Sequence, residues 1–391
     1  MSADANALPT PVRLHRRAVS ALFFCQGFAF AALITRIPAI QESFGLSEAQ
    51  LAGLLALIPI IAGVGSVISG NLAVRFRSSV VLRICGVGVS LSVVVVGAAT
   101  DLASWPLLLV GLLLVGFGLG SVDATMNMQG IGVQALAHRP IMASFHAWWS
   151  LATILGAVAA SIAAATSLSL FGFMVIVAVI LIPVQLWAGP GLVRDRVADD
   201  AAPDPLASSS GVPWRPLLVF GAAVIAAFII DSSVSNWSAV DLVTVLGATE
   251  SVAALAYAAY ACAMLAGRLV TDRLVVARGP TPVIAVGAVI AAAGLVGVAV
   301  APGEVAAIAA FAVVGLGLSP VLPLAFTAAA RHDPEHSGIA VARVNVGNYI
   351  GFVLGAPLVG VIAEFSSLRV GFGVLAVVAL AIAATAPSFR Q

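Results

Sequence analysis

The sequence contains no lysine. Its 18 basic residues are all arginine, set against 17 acidic ones, and charged residues make up only 9% of the 391. So little charge excludes an ordinary soluble domain, which carries about 25%. The near-balance of sign, +1 overall, excludes a basic surface for nucleic acid. Cysteine is scarce too: Cys25, Cys85 and Cys262 each fall inside an apolar run, without metal-ligand spacing or the pattern of a disulfide framework, which leaves them a packing role. No Walker A sequence is present, so ATP-driven transport is excluded and no cofactor is expected. No loop is long enough for a soluble catalytic or sensory module, which argues against a membrane enzyme and also against a non-transporting membrane receptor.

What fills the chain is apolar, at 61% hydrophobic residues and a mean hydropathy of +1.12. A spanning helix needs about 20 predominantly apolar residues. Twelve stretches meet that rule: 18–40, 48–71, 80–100, 105–132, 140–165, 168–189, 215–240, 250–271, 281–301, 304–330, 338–363 and 367–386. The expected fold class is therefore an all-α integral membrane protein embedded in a lipid bilayer. Arg13, Arg16 and Arg17 precede the first stretch as they would in a signal peptide. That run extends to about Ile40, however, well beyond a signal core of about 7 to 15 residues. Pro59, Pro183, Pro320, Pro323 and Pro357 lie within spans, where neighbouring helices can satisfy the freed backbone groups.

Arginine gathers at one set of helix ends, from Arg13 through Arg75, Arg139, Arg194, Arg278 and Arg331 to Arg390. The other set shows mainly Glu42, Asp101, Asp241, Glu304 and Glu364. The positive-inside rule then places both termini in the cytoplasm of a cell whose inner membrane the chain crosses repeatedly. Between spans six and seven the polar stretch 191–214 collects four aspartates, prolines and Ser208 to Ser210, and reads as a cytoplasmic linker. The expected organisation is a cytoplasmic tail over 1–17, a six-helix bundle over 18–190, that linker, and a second six-helix bundle over 215–387. The halves look duplicated, because Val115-Gly116-Phe117-Gly118-Leu119 matches Val314-Gly315-Leu316-Gly317-Leu318 at the same spacing that takes Gly156-Ala157 to Gly355-Ala356. At that spacing His146 corresponds to Asn345.

Two parallel six-helix repeats in one chain resemble the major facilitator transporters. Gly70-Asn71-Leu72-Ala73-Val74-Arg75-Phe76-Arg77, between spans two and three, is similar to that superfamily's Gly-x-x-x-Asp-Arg-x-Gly-Arg signature, with Val74 in place of the Asp. Gly267-Arg268-Leu269-Val270-Thr271-Asp272-Arg273-Leu274 resembles its second copy and keeps the acidic and basic pair. The resemblance implies gating roles for Gly70, Arg75, Arg77, Asp272 and Arg273. Ser121 to Asn127, Ser144 to Ser150, Asn236 to Val240 and Arg36-Ile37-Pro38 look like a bacterial inner-membrane permease branch distantly similar to fucose permease. Asp231 and Asp241 stand where that branch would have Glu and Tyr.

Ionisable groups at membrane depth are costly, and they face a bundle interior or a wet cavity. Asp123 and Asn127, four apart, share one face of span four, and His146 lies at similar depth on span five. A carboxylate out of water and a histidine, whose charge changes in the physiological range, suit reversible proton binding, although a fixed polar contact between helices is the alternative. Solute contacts are expected from Arg36, Asn127, Asp231, Asn236, Trp237, Asn345 and Asn348, because amides and carboxylates beside an aromatic ring suit hydroxylated solutes. Arg36 fits snorkelling, and Trp237 an interfacial belt, equally well. Arg343, inside span eleven, is expected to find an internal partner, Asp123 among the candidates, as a gate. Gly347, Gly351 and Gly355, and Gly116, Gly118 and Gly120, suit close helix packing.

The function expected is secondary transport of a small polar solute by alternating access, coupled to protons and carried out by a monomer. The alternative within transport is proton-linked multidrug or metabolite efflux. Against efflux, Leu155-Gly156-Ala157-Val158 lacks the Gly-Pro pair of the superfamily's antiporter signature.

Overall fold

A computed structural model describes residues 9–166, 168–194, 212–333 and 338–390. Among these, 12 helical segments are long and apolar enough to cross a membrane, and there is no strand. Spans one to six are Thr10–Phe44, Gly53–Phe76, Ser78–Asp101, Trp105–Ala137, Met142–Ala165 and Leu170–Gly191; spans seven to twelve are Trp214–Thr244, Ser251–Arg278, Pro280–Ala299, Glu304–Ala330, Ile339–Phe365 and Leu368–Phe389. The protein is thus an all-helical, multi-pass membrane protein.

The helices run further than their apolar cores. Span one begins at Thr10 behind Pro9, so residues 10–17, read from sequence as tail, continue the helix. Its first turns are fixed by His15 Nδ1 against the Gly191 carbonyl at 2.8 Å. Proline breaks two spans. Pro38, whose ring nitrogen has no N–H to donate to the Ile34 carbonyl one turn back, leaves Arg36 between the helices Thr10–Thr35 and Ile37–Phe44. Pro320 divides span ten into Glu304–Leu318 and Val321–Ala330. Pro59, Pro183 and Pro357 stay inside continuous helices. Among the described residues, three helices start on side-chain caps: Ser47 with Gln50 forms a reciprocal box, Ser169 accepts from the Gly172 N–H, and Ser367 from that of Val370.

Contacts divide the chain into two compact units, Met1–Ser210 with Ser337–Ala342, and Gly211–His336 with Arg343–Gln391. The linker expected over 191–214 lies mostly outside the described residues. In the first unit span one packs on five and six, and span four on two and three; in the second, span ten packs on eight and nine, and span nine on twelve. Apolar burial does not drive helices together in lipid, so close backbone approach must. A Cβ on Gly156 of span five would sit 2.7 Å from the Phe28 carbonyl of span one. One on Gly355 of span eleven would run into the Ile229 carbonyl of span seven. The glycines of the repeated sequence therefore mark the same seam in each unit.

Candidate functional site

Span four is a single helix, and Asp123 lies well inside it, partly accessible, while Asn127 one turn on is fully buried. Asn127 Nδ2 donates to the Asp123 backbone carbonyl at 2.8 Å and to its carboxylate at 3.4 Å. Asn127 Oδ1 is buried and accepts no hydrogen bond from the described residues. The four-residue spacing thus delivers the carboxylate–amide pair expected. His146 is 5% exposed, and its ring stands edge-on to Phe23 of span one at 5.3 Å, with Phe145 stacked on the same phenylalanine at 5.6 Å. Trp148 and Trp149 meet Phe24 and Phe30 of the same span. His146 is accordingly held by an aromatic seam between spans one and five.

The second unit splits the residues expected to contact solute into two groups. Trp237 Nε1 donates to the Ala356 carbonyl at 2.9 Å, and its ring lies against Gly360, so the indole joins span seven to span eleven. Ser232 and Ser233 donate to the Phe352 and Gly355 carbonyls across the same seam, at 2.8 and 2.9 Å. Asn236 is exposed and turns its amide to the Ser232 carbonyl at 2.7 Å. Asn345 and Asn348 are buried and bonded to each other, Asn348 Nδ2 to Asn345 Oδ1 at 2.9 Å.

Asp231 looks the other way. Its Oδ1 accepts the Tyr260 hydroxyl of span eight at 2.5 Å. Tyr257 stacks on Tyr260 at 5.9 Å, and Arg268, 6% exposed, lies within electrostatic reach of all three. Sequence reasoning missed these partners. Two of the chain's three tyrosines standing three apart in one span was the available signal, whereas Arg268, three residues inside the expected end at 271, reads from sequence as a helix-end arginine.

The charged residues expected to contact solute or to gate divide similarly. Arg36 is 8% exposed; it donates to the Leu168 carbonyl at 3.0 Å and faces the Phe173 ring at 5.9 Å, so it serves the turn between spans five and six and does not snorkel. Arg343 donates to the Val212 carbonyl at 2.7 Å and lies over the Trp214 ring at 4.2 Å, tying the start of span eleven to that of span seven. Gly70 is buried within the first unit, where a Cβ would meet that of Ala342 at 2.7 Å. The signature segments expected between spans are in fact final helical turns: Gly70 to Phe76 belong to Glu48–Phe76, and Asp272 and Arg273 to Glu250–Arg278. Single residues make the reversals, Arg77 at φ 71 and Gly279 at φ 77. Arg75 is exposed beside the Phe76 ring; Asp272 is partly buried and Arg273 exposed.

Residues 219–390 match the family model described as Major Facilitator Superfamily. An uncharacterized transporter of Sinorhizobium fredii is 30% identical, aligned over 96% of this chain and 98% of its own. An uncharacterized MFS-type transporter of Yersinia pestis is 31% identical over 93% of each chain. Among solved structures, the transporter FucP in its outward conformation superposes with a TM-score of 0.78 at 16% identity, covering 98% of this chain and 99% of that one. The proton:xylose symporter XylE gives 0.70 at 15% identity, over 95% and 94%. At such identities the structures speak for the fold alone.

Proposed function

This chain belongs to the Major Facilitator Superfamily of membrane transporters, and from that premise we propose that it moves a small, polar, hydroxylated solute by alternating access, coupled to protons. The observation that carries the reading is the Asp123–Asn127 pair. A carboxylate at membrane depth whose neighbouring amide donates to it can hold or release a proton without losing its place in the helix. His146, buried one span away, supplies a second group able to change charge. Asp231 and the Asn345–Asn348 pair, amide and carboxylate groups inside spans of the second half, suit hydroxyl recognition. The fold neighbours FucP and XylE, titled as proton symporters for fucose and xylose, support the same solute class.

In this reading Gly70, Arg75, Arg77, Asp272, Arg273 and Arg343 control opening, the termini face the cytoplasm, and the protein works as a monomer in the inner membrane. Purified protein in liposomes, loaded with an imposed proton gradient and offered radiolabelled pentoses and hexoses, tests it. Gradient-driven accumulation abolished by a protonophore is the expected result. Gradient-driven expulsion of a lipophilic cation, with no sugar accumulated, would replace symport by efflux.

A further inference from the structure

Span eight carries two kinds of surface. Leu255, Leu269, Val270 and Leu274 are large, apolar and exposed, as side chains against lipid should be. Tyr257, Arg268 and Asp272 follow one another at eleven and then four residues, close to whole turns of helix, and so fall on a single polar stripe. Tyr257 is 44% exposed on that stripe, whereas its neighbour Tyr260 is 1% exposed and spends its hydroxyl on Asp231. An accessible aromatic face beside a partly accessible carboxylate has therefore been built away from the lipid-facing side.

We infer that Asp231, Tyr257, Tyr260 and Arg268 form the solute-recognition centre of the second half, and that it selects neutral polyols over organic cations. The inference rests on the proposed transport of a hydroxylated solute and names its charge class. Tyr260 fixes one carboxylate oxygen of Asp231 and leaves the other to accept solute hydroxyls. Tyr257 offers a flat ring, stacked on Tyr260 from behind, to the apolar face of a sugar. The charge balance decides the class. An acidic residue beside an open aromatic face would by itself invite a cation. Arg268 lies within electrostatic reach of Asp231 and of both tyrosines and compensates that carboxylate, so the Asp231–Arg268 pair beside the open ring has no net charge to offer an ammonium group. Of the titratable and charged groups in spans seven and eight, Asp231, Tyr257, Tyr260 and Arg268 interact with one another here; Asp272 lies one turn beyond Arg268 on the same stripe, and Asp241 is within electrostatic reach of Arg369.

The test uses full-length protein in nanodiscs, titrated calorimetrically with L-fucose, D-xylose and D-mannitol as polyols and tetraethylammonium as the cation. The wild type should bind a polyol and not the cation. Tyr257→Ala should weaken polyol binding by about tenfold or more, with Tyr257→Phe within about twofold of wild type, because the ring and not the hydroxyl is used. Arg268→Gln should weaken the polyol and create tetraethylammonium binding, and Asp231→Asn added to it should abolish that new binding. Should Arg268→Gln fail to fold, the double variant, which removes both charges together, and the Tyr257 pair decide the matter. Polyol binding unchanged by Tyr257→Ala, or cation binding unchanged by Arg268→Gln, overturns the centre while leaving polyol transport standing. A wild type that binds none of the three polyols refutes the proposed solute class, and the centre with it.

Discussion

Replacing Gly355 by alanine should unlock spans seven and eleven. The added Cβ would run into the Ile229 carbonyl, with the Ile229 carbonyl carbon at 3.1 Å and Ser232 Cβ at 2.8 Å. Two of those three obstacles are backbone, which cannot rotate aside. Restoring contacts of about 3.5 to 4 Å therefore requires the helices to part by about 1 Å. That displacement lengthens three bonds spanning the seam, from Ser232, Ser233 and Trp237 to the Phe352, Gly355 and Ala356 carbonyls, now 2.8 to 2.9 Å long. Interhelical bonds in membranes average about 0.6 kcal/mol, so their loss costs about 2 kcal/mol. Overpacking adds about 1 to 3 kcal/mol, for a total of about 3 to 5. Gly221 and Gly373, with nothing within 4 Å of an added Cβ, are the controls, and alanine there should be neutral or stabilising by up to about 1 kcal/mol. Reversible unfolding in bicelles measures all three. Gly355→Ala as stable as the Gly373→Ala control would refute the argument that backbone contact holds this seam.

Asp123→Asn should retain solute exchange without a gradient but lose uphill, proton-driven accumulation, since an amide mimics the protonated carboxyl; unchanged accumulation in liposomes would exclude Asp123 as the proton carrier. His146→Gln should move the pH dependence of uptake more than its maximal rate. Arg77→Gly should raise stability by about 1 kcal/mol or more by relieving a positive φ of 71° in a side-chain-bearing residue, measured by thermal unfolding, and uptake should fall in the same variant if the Arg77 charge gates. Reporter fusions at Ser209, which lies outside the described residues, and after Gln391 should both report the cytoplasm, and a periplasmic signal from either would reverse the orientation.

The twelve spans were legible because length and hydropathy alone identify a helix that must satisfy every backbone group in lipid. Their ends were not. Apolar counting stopped span eight at residue 271, while the helix continues through Asp272 and Arg273 to Arg278, whose side chains reach water from inside a helix as readily as from a loop. The same error put Arg268 at a helix end, when it is buried with Asp231. Within the site, short-range pairs were readable: Asp123 with Asn127 and Asn345 with Asn348 follow from helical spacing. Partners on different spans were not. Spacing shows which face a residue occupies but not which helix lies against it, so Trp237 on Ala356, Arg36 on Leu168 and Tyr260 on Asp231 needed the three-dimensional arrangement.

The two halves share their seams more than their chemistry, and the physical reason lies in what each kind of position demands. Gly116 and Gly315 occur at one spacing, and each abuts a backbone carbonyl of the span it packs on, Ile58 in the first half and Tyr260 in the second. Gly156 and Gly355 repeat the pattern at that same spacing, against Phe28 and Ile229. Any Cβ at these four places meets main chain, so no neighbouring substitution can make room and the residue type is dictated by the fold. The polar positions carry no such dictate. At that spacing Asp123 corresponds in sequence to Leu322, Asp231 to Ala32, Arg268 to Ser69, and Tyr257 and Tyr260 to Ile58 and Ile61. Each carboxylate is instead supported by donors of its own half, Asn127 in one and Tyr260 in the other. A packing scaffold fixed by backbone sterics thus leaves each half free to hold a different charge arrangement, and the proposed division of labour, proton exchange in the first half and solute recognition in the second, requires that freedom.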